Sequence, residues 1–174
     1  ILVGSGTVEA DDPQLTCRLP GLEGRSPVRI ALDTRGRLRP DAKIFSATGS
    51  VPVLRLVGDT APAAGADAFG EHVKTFAPPV RDGRLDMKGV LDCLGDFGLT
   101  RILVEGGSKI AASLVAERLA DDAIIFRSPN EIGPDGIPAL AGMDLSALEA
   151  GADFRIVGRR RFGDDVMSRY RRAV

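Results

Sequence analysis

Tryptophan is absent from this 174-residue chain, tyrosine occurs once and phenylalanine seven times. So few rings argue against a stacking platform for single-stranded nucleic acid. The formal net charge of −1 argues against a general polyanion-binding surface. Histidine is scarcer still, His72 standing alone. The two cysteines, Cys17 and Cys93, lie far apart in no C-x-x-C pattern, a poor set from which to build a zinc site. Read plainly, both thiols are small, buried apolar residues of a reducing cytosol. His72 precedes an apolar run and reads as a strand-end residue, not a base or ligand. No apolar segment approaches the roughly 20 residues that span a bilayer, and no signal peptide is visible. We therefore expect a cytoplasmic protein with no metal, no membrane contact and no nucleic-acid partner. There is no initiator methionine either. The chain opens directly on Ile1, Leu2 and Val3, an apolar run, so we expect a fragment that lacks its beginning.

What is present suits a globular domain: hydrophobic content is 44%, and the length fits one domain with a sizeable core. The chain is organised around residues 101–119. Ile102, Leu103 and Val104 form a short apolar run of the kind found in a buried parallel strand. Gly106 and Gly107 permit a sharp turn and close approach of backbone to a ligand. Ser108 is placed to cap a helix that buries Ile110, Ala111, Leu114, Val115 and Leu119, with Lys109, Ser113 and Glu117 on the other side. Backbone N–H groups at the positive end of a helix, just past a strand, suit a phosphate. Glu105 ends the strand and points into the same crevice. The plainer reading of Gly-Gly, a turn that only lets the helix pack, stays open on these residues alone.

From the N-terminus, residues 1–3 read as a buried strand, and Gly4 to Gly6 as a turn. Residues 7–10 read as a short helix ended before Pro13. Thr7 at the helix start is a cap or a ligand contact. Residues 15–18 read as extended. Residues 28–32 are a second strand, followed by Asp33, Thr34 and three arginines, Arg35, Arg37 and Arg39. These are a solvated face or a holder for the 2′-phosphate of NADP. Residues 44–45 and 52–57 are further strand candidates. Residues 58–70, with Pro62, Gly65 and Gly70, read as a loop or a poorly packed surface helix. Residues 72–76 form an edge-like strand closed by Pro78 and Pro79. Residues 86–97 give the clearest helix, with Asp86 as N-cap, Leu85 and Val90 as a hydrophobic staple and Gly98 as the stop. Residues 122–128 are a strand, 128–142 a loop, and 154–172 a β-hairpin turning at Gly163. Its many arginines read mainly as an outer face toward solvent or a second subunit. The alternation of strands and helices predicts an α/β fold with a mostly parallel sheet and an antiparallel edge.

Two stretches together are far more specific than either alone. They are Val3-Gly-Ser-Gly-Thr-Val-Glu-Ala-Asp-Asp-Pro-Gln-Leu-Thr-Cys-Arg18 and Val104-Glu-Gly-Gly-Ser-Lys-Ile-Ala-Ala-Ser-Leu114. The pair resembles the reductase-domain family of the bacterial riboflavin biosynthesis protein RibD, over almost the whole chain. The resemblance implies a dihydrofolate-reductase-like α/β fold, with a mostly parallel central sheet, helices on both faces and an antiparallel C-terminal hairpin. It implies NADPH-dependent reduction of 5-amino-6-(5-phosphoribosylamino)uracil to the ribitylamino compound by hydride transfer to ribose C1′. Thr7, Asp11 and Thr34 match cofactor contacts. So do Gly107, Ser108, Lys109, Ile110, Ala111, Ala112 and Ser113. Leu15, Arg18 and Glu105 match contacts to the phosphoribosyl pyrimidine substrate. No residue stands out as the general acid, and the catalytic residue is left unassigned.

The resemblance also implies a homodimer, and the hairpin reads as a seam for it. We expect residues 1–174 to be one reductase domain lacking its start. The zinc deaminase domain that commonly precedes it, with its H-x-E and P-C-x-x-C signature, is not in these residues. A deaminase domain on the same full-length chain is left open as a partner. One rival is a pterin reductase of the same fold, opposed by the Asp11-Asp12-Pro13 to Arg18 stretch. Another is a non-catalytic dimerisation or regulatory domain on the same scaffold. A third is nucleic-acid binding through the arginine hairpin.

Overall fold

The computed structural model describes residues 1–47, 49–59, 61, 66–149, 151 and 153–173. They form two compact units, Ile1–Gly107 and Ser108–Val174. The first is built on four parallel strands in the order β1 (Leu2–Gly4), β2 (Arg29–Asp33), β3 (Val53–Val57) and β4 (Val73–Phe76). All residues of β1 and β2 are buried, which is why Leu2-Val3 and Ile30-Ala31-Leu32 are continuous apolar runs rather than alternating ones. One face of the sheet carries Val3, Ala31 and Val53. It is covered by Val8 of helix α1 (Ser5–Asp11) and by Leu38, Ile44, Phe45 and Phe69. Each such side chain contributes about 1.5–3 kcal/mol on burial, and this layer fixes α1 against the strand ends.

Several expectations change here. Ile44 and Phe45 form a buried 3-10 turn (Lys43–Phe45), not a strand. Two apolar residues satisfy either geometry, and these plug the sheet face. The 102–104 run makes a single parallel bridge, Val104 to Leu2, and Leu103 is 57% exposed. Apolar composition cannot distinguish this bridging segment from a central strand. Leu15 has φ +54, so it departs from the extended reading, and residues 15–18 pair in no strand. The 58–70 reading falls partly on Pro62 and Gly65, outside the described residues; Ala66–Phe69 is a 3-10 helix. His72 precedes β4, and its Nε2 lies 2.6 Å from the Phe45 carbonyl oxygen.

Helix α2 (Met87–Asp96) follows its sequence signals closely. The Asp86 carboxylate accepts the Gly89 N–H at 3.0 Å, and Leu85 and Val90 are both buried. Gly98, at φ +96, lets the Leu99 N–H return to the Leu94 carbonyl at 3.0 Å. Just before it, β5 (Val80–Arg81) and β6 (Arg84–Leu85) make a small hairpin turning at Asp82-Gly83. That hairpin is unanticipated, although Asp-Gly is a strong signal for one.

The second unit holds α3 (Ser108–Ala116), β7 (Asp122–Arg127), a single turn α4 (Ser146–Glu149), β8 (Phe154–Phe162) and β9 (Asp165–Arg172). The strands form an antiparallel sheet in the order β7-β9-β8. Its inner face gathers Phe154, Tyr170, Leu148 and Leu140, with Ala111, Ala112 and Val115 of α3 against them. Of the five residues expected to be buried on this helix, only Leu114 is fully so; Ile110, Ala111, Val115 and Leu119 are half-buried. The helix stops three residues before Leu119. Arg118 takes φ +57, and the Leu119 N–H closes on the Leu114 carbonyl at 2.8 Å. Ser108 is itself the first helical residue, so the capping position falls on Gly107. Both cysteines are half-buried rather than buried, and burial pushes the Cys93 thiol pKa up.

Candidate functional site

Parallel strands place their carboxyl ends on one edge of a sheet, where α/β proteins bind ligands. In the first unit Val104, β1, β2 and β3 are successive neighbours. Glu105 directly follows Val104, Thr34 follows β2, and Thr7 lies three residues past β1. These three expected site residues therefore come from adjacent strand ends.

Two glycines allow the backbones there to approach. Gly106 has φ +106, and a Cβ built on it would lie 2.6 Å from Thr7 Oγ1 and 3.1 Å from Thr7 Cγ2. No larger residue fits unless the Thr7 side chain shifts. This contact also corrects the capping reading of Thr7. The N-cap of α1 is Gly4, with no side-chain capping bond, and Thr7 is on the third helical residue, against Gly106. Gly58, just after β3, plays a similar part. Its N–H donates to the Thr34 carbonyl at 3.0 Å, and a Cβ would meet that oxygen at 2.7 Å. Sequence reasoning missed Gly58, although its place directly after an apolar run matches that of Gly4.

Asp11 is exposed at the end of α1, Leu15 packs partly against the sheet-face cluster, and Arg18 is exposed. Beside Asp11, the Asp12 carboxylate accepts the Lys43 N–H at 2.8 Å and pairs with Lys43 Nζ at 3.1 Å. The Lys43 amide, and then its ammonium, lower the Asp12 pKa below the ordinary carboxylate value. A cleft of about 400 Å³ opens here, lined by Val8, Glu9, Asp12, Arg37, Leu38 and Arg39. Arg35, Arg37 and Arg39 are all exposed, and Arg39 forms an ion pair with Asp41. A second cleft of about 490 Å³ borders the segment between Leu15 and Arg18, lined by Thr16, Cys17, Glu23, Ser26 and Ser50 among others.

The remaining expected site residues belong to the second unit, except Gly107, which closes the first. Ser108 to Ser113 form the first six residues of α3, whose N-terminus carries the positive end of the helix dipole. Lys109 is exposed, while Ser108, Ile110, Ala111, Ala112 and Ser113 are half-buried. Gly107 has φ +82.

No helix among the described residues is long and apolar enough to cross a membrane. Residues 1–168 match the family model described as the RibD C-terminal domain. The chain is 31% identical to the riboflavin biosynthesis protein RibD of Escherichia coli (strain K12), over 95% of this chain and 47% of that protein. It is 28% identical to the 2,5-diamino-6-ribosylamino-4(3H)-pyrimidinone 5′-phosphate reductase of Methanothermobacter thermautotrophicus, over 98% and 78%. Among solved structures, a Thermotoga maritima diaminohydroxyphosphoribosylaminopyrimidine deaminase/5-amino-6-(5-phosphoribosylamino)uracil reductase superposes with a TM-score of 0.75 at 29% identity. That match covers 99% of this chain and 44% of the other. The chain spans about half the length, or less, of the RibD relatives it matches.

Proposed function

Because the chain belongs to the RibD C-terminal domain family, we propose that it reduces 5-amino-6-(5-phosphoribosylamino)uracil to 5-amino-6-(5-phosphoribitylamino)uracil in the cytoplasm. NADPH, when bound, supplies the hydride that reduces ribose C1′. The observation that carries this reading is the convergence of Thr7, Thr34 and Glu105 just past adjacent ends of the parallel strands, the edge at which α/β sheets bind ligands. Gly106, with no side chain, lets the turn after Glu105 close onto Thr7. Thr7 and Thr34 offer hydroxyls to the cofactor from neighbouring strand ends, with Asp11 beyond them. Arg35 and Arg37 favour the 2′-phosphate, and hence NADPH over NADH. Gly107 and the opening residues of α3, Ser108, Lys109, Ile110, Ala111, Ala112 and Ser113, serve the cofactor phosphates.

For the substrate, Arg18 binds its phosphate or a polar ring atom, Leu15 supplies apolar wall, and Glu105 accepts hydrogen bonds from ring or sugar donors. These groups orient the sugar carbon and keep water from it. Titration with NADPH and NADH, followed by the emission of reduced nicotinamide, tests the cofactor reading against a background free of tryptophan. Saturable binding with NADPH preferred by at least about tenfold is expected, as one charge-assisted contact supplies that much. Glu105→Gln is expected to lower turnover of the pyrimidine by about 10- to 100-fold. Unchanged turnover removes Glu105 from the mechanism.

The protein acts as a homodimer joined through the β7-β9-β8 sheet. Two features support this reading. The outer face leaves Ile124, Phe126, Val157 and Phe162 exposed, Phe126 by 63%. The nine-residue β8 is an edge strand, a ready template for a second copy. Arg169 and Arg171 on this face both pair with Asp122, which lowers the aspartate's pKa. Sedimentation velocity should give the dimer mass for the native chain and the monomer mass for Phe126→Asp. A native monomer overturns the assignment.

A further inference from the structure

A buried ion pair in the first unit has no part in the roles assigned above. Asp33, the last residue of β2, is 1% exposed, and Arg55, in the middle of β3, is 2% exposed. Arg55 Nε and a terminal guanidinium nitrogen reach Asp33 Oδ2 at 3.0 and 2.7 Å. The guanidinium carbon also sits 4.2 Å from the centroid of the Phe69 ring. The same carboxylate accepts two backbone N–H groups, from Arg37 at 2.8 Å and from Leu38 at 3.1 Å. The Asp33 carbonyl accepts the Gly36 N–H at 2.8 Å.

The chain from Thr34 to Leu38 is therefore wound around one carboxylate. Arg55 holds that carboxylate from the sheet side, and Gly58 holds the Thr34 carbonyl. A buried ion pair is weak evidence of a stabilising role, since packed apolar residues often do as well in its place. Here the carboxylate does something an apolar residue cannot: it fixes two amides of the turn, those of exposed Arg37 and buried Leu38.

We propose that Asp33 and Arg55 are a positioning pair, setting the turn that presents Thr34 and Arg37 to the nicotinamide cofactor. This inference rests on the cofactor reading given above. Neither residue touches the cofactor; both act through the turn.

The test compares Asp33→Asn and Gly36→Ala with the native chain. Asp33→Asn keeps the side-chain shape but removes the charge that Arg55 meets. Gly36 has φ +64, so Gly36→Ala strains the same turn without touching the buried pair, and serves if the first variant does not fold. Three readouts are taken well below the melting temperature: Kd for NADPH, Kd for the pyrimidine, and exchange of the Arg37 and Leu38 amides. Both variants are expected to weaken NADPH about 10-fold or more, the scale set by sub-ångström misplacement of binding groups. The pyrimidine Kd is expected to stay within about twofold, since no contact to it is removed. The two amides are expected to exchange faster. Folded variants with native NADPH affinity overturn the proposal and leave the cofactor reading standing, because the pair is then only structural. Failure of the native chain to bind NADPH overturns the cofactor reading and this inference with it.

Discussion

Replacing Gly106 with alanine is expected to destabilise the first unit by roughly 2–5 kcal/mol, from backbone strain and overpacking together. The strain arises because φ at Gly106 is +106, a value that residues with a side chain rarely adopt. The overpacking arises because the new methyl would sit 2.6 Å from Thr7 Oγ1. Thr7 cannot retreat freely, since the next residue, Val8, is buried under the sheet-face cluster. Urea unfolding gives the loss as a lower midpoint at unchanged slope, and NADPH titration should show binding lost in parallel. Gly6→Ala provides a control of opposite sign. Gly6 lies in α1 with nothing within 4 Å of a Cβ, so alanine there is expected to stabilise by about 0.5–1 kcal/mol. If Gly106→Ala unfolds at the native midpoint, the Gly106–Thr7 contact does not hold the turn to α1.

Much of the fold was legible because single residues carried unambiguous signals. Asp86 and Gly98 delimit α2 as a cap and a stop, and each does so in the structure, while Leu85 and Val90, read as a staple, are both buried. The hairpin of β8 and β9 was legible from Gly163 between two long runs. What misled was apolar composition without periodicity. Residues 102–104 and 44–45 are each apolar enough for a buried strand, yet one makes a single bridge and the other a 3-10 turn. Pairing partners decide between these outcomes, and they lie far away in sequence. The site divides in the same way. Glycines after strands are visible in the chain, so the Gly106 turn could be found. Thr7 reads locally as a cap, and only the fold reveals that it faces Gly106. Nothing in the local sequence assigns Asp33 a role. The available clue was Arg55, a charge inside the apolar run Val53, Leu54, Leu56 and Val57. A cation in the middle of a buried strand requires a partner, and the acid at the end of the preceding strand was the natural candidate.

That partnership predicts the second large effect. Asp33→Ala is expected to lose about 3–5 kcal/mol of stability, the usual penalty for leaving one member of a buried pair uncompensated. Arg55 then remains in the core against Phe69, and the Arg37 and Leu38 amides lose their acceptor. Adding Arg55→Met removes the stranded charge at similar volume, so the double variant should regain part of the loss. It should not regain all of it, because two amides still lack the carboxylate, at roughly 1–3 kcal/mol for each group left unsatisfied. Urea unfolding of the two single variants and the double variant gives the coupling directly. If the double variant returns to native stability, the amides have found other partners and the turn does not depend on Asp33. If stability recovers only in part while the Arg37 and Leu38 amides stay open to exchange, cohesion and turn shape are separable. The charge on Asp33 would then be present for Arg55, and its acceptor oxygens for the turn that carries Thr34.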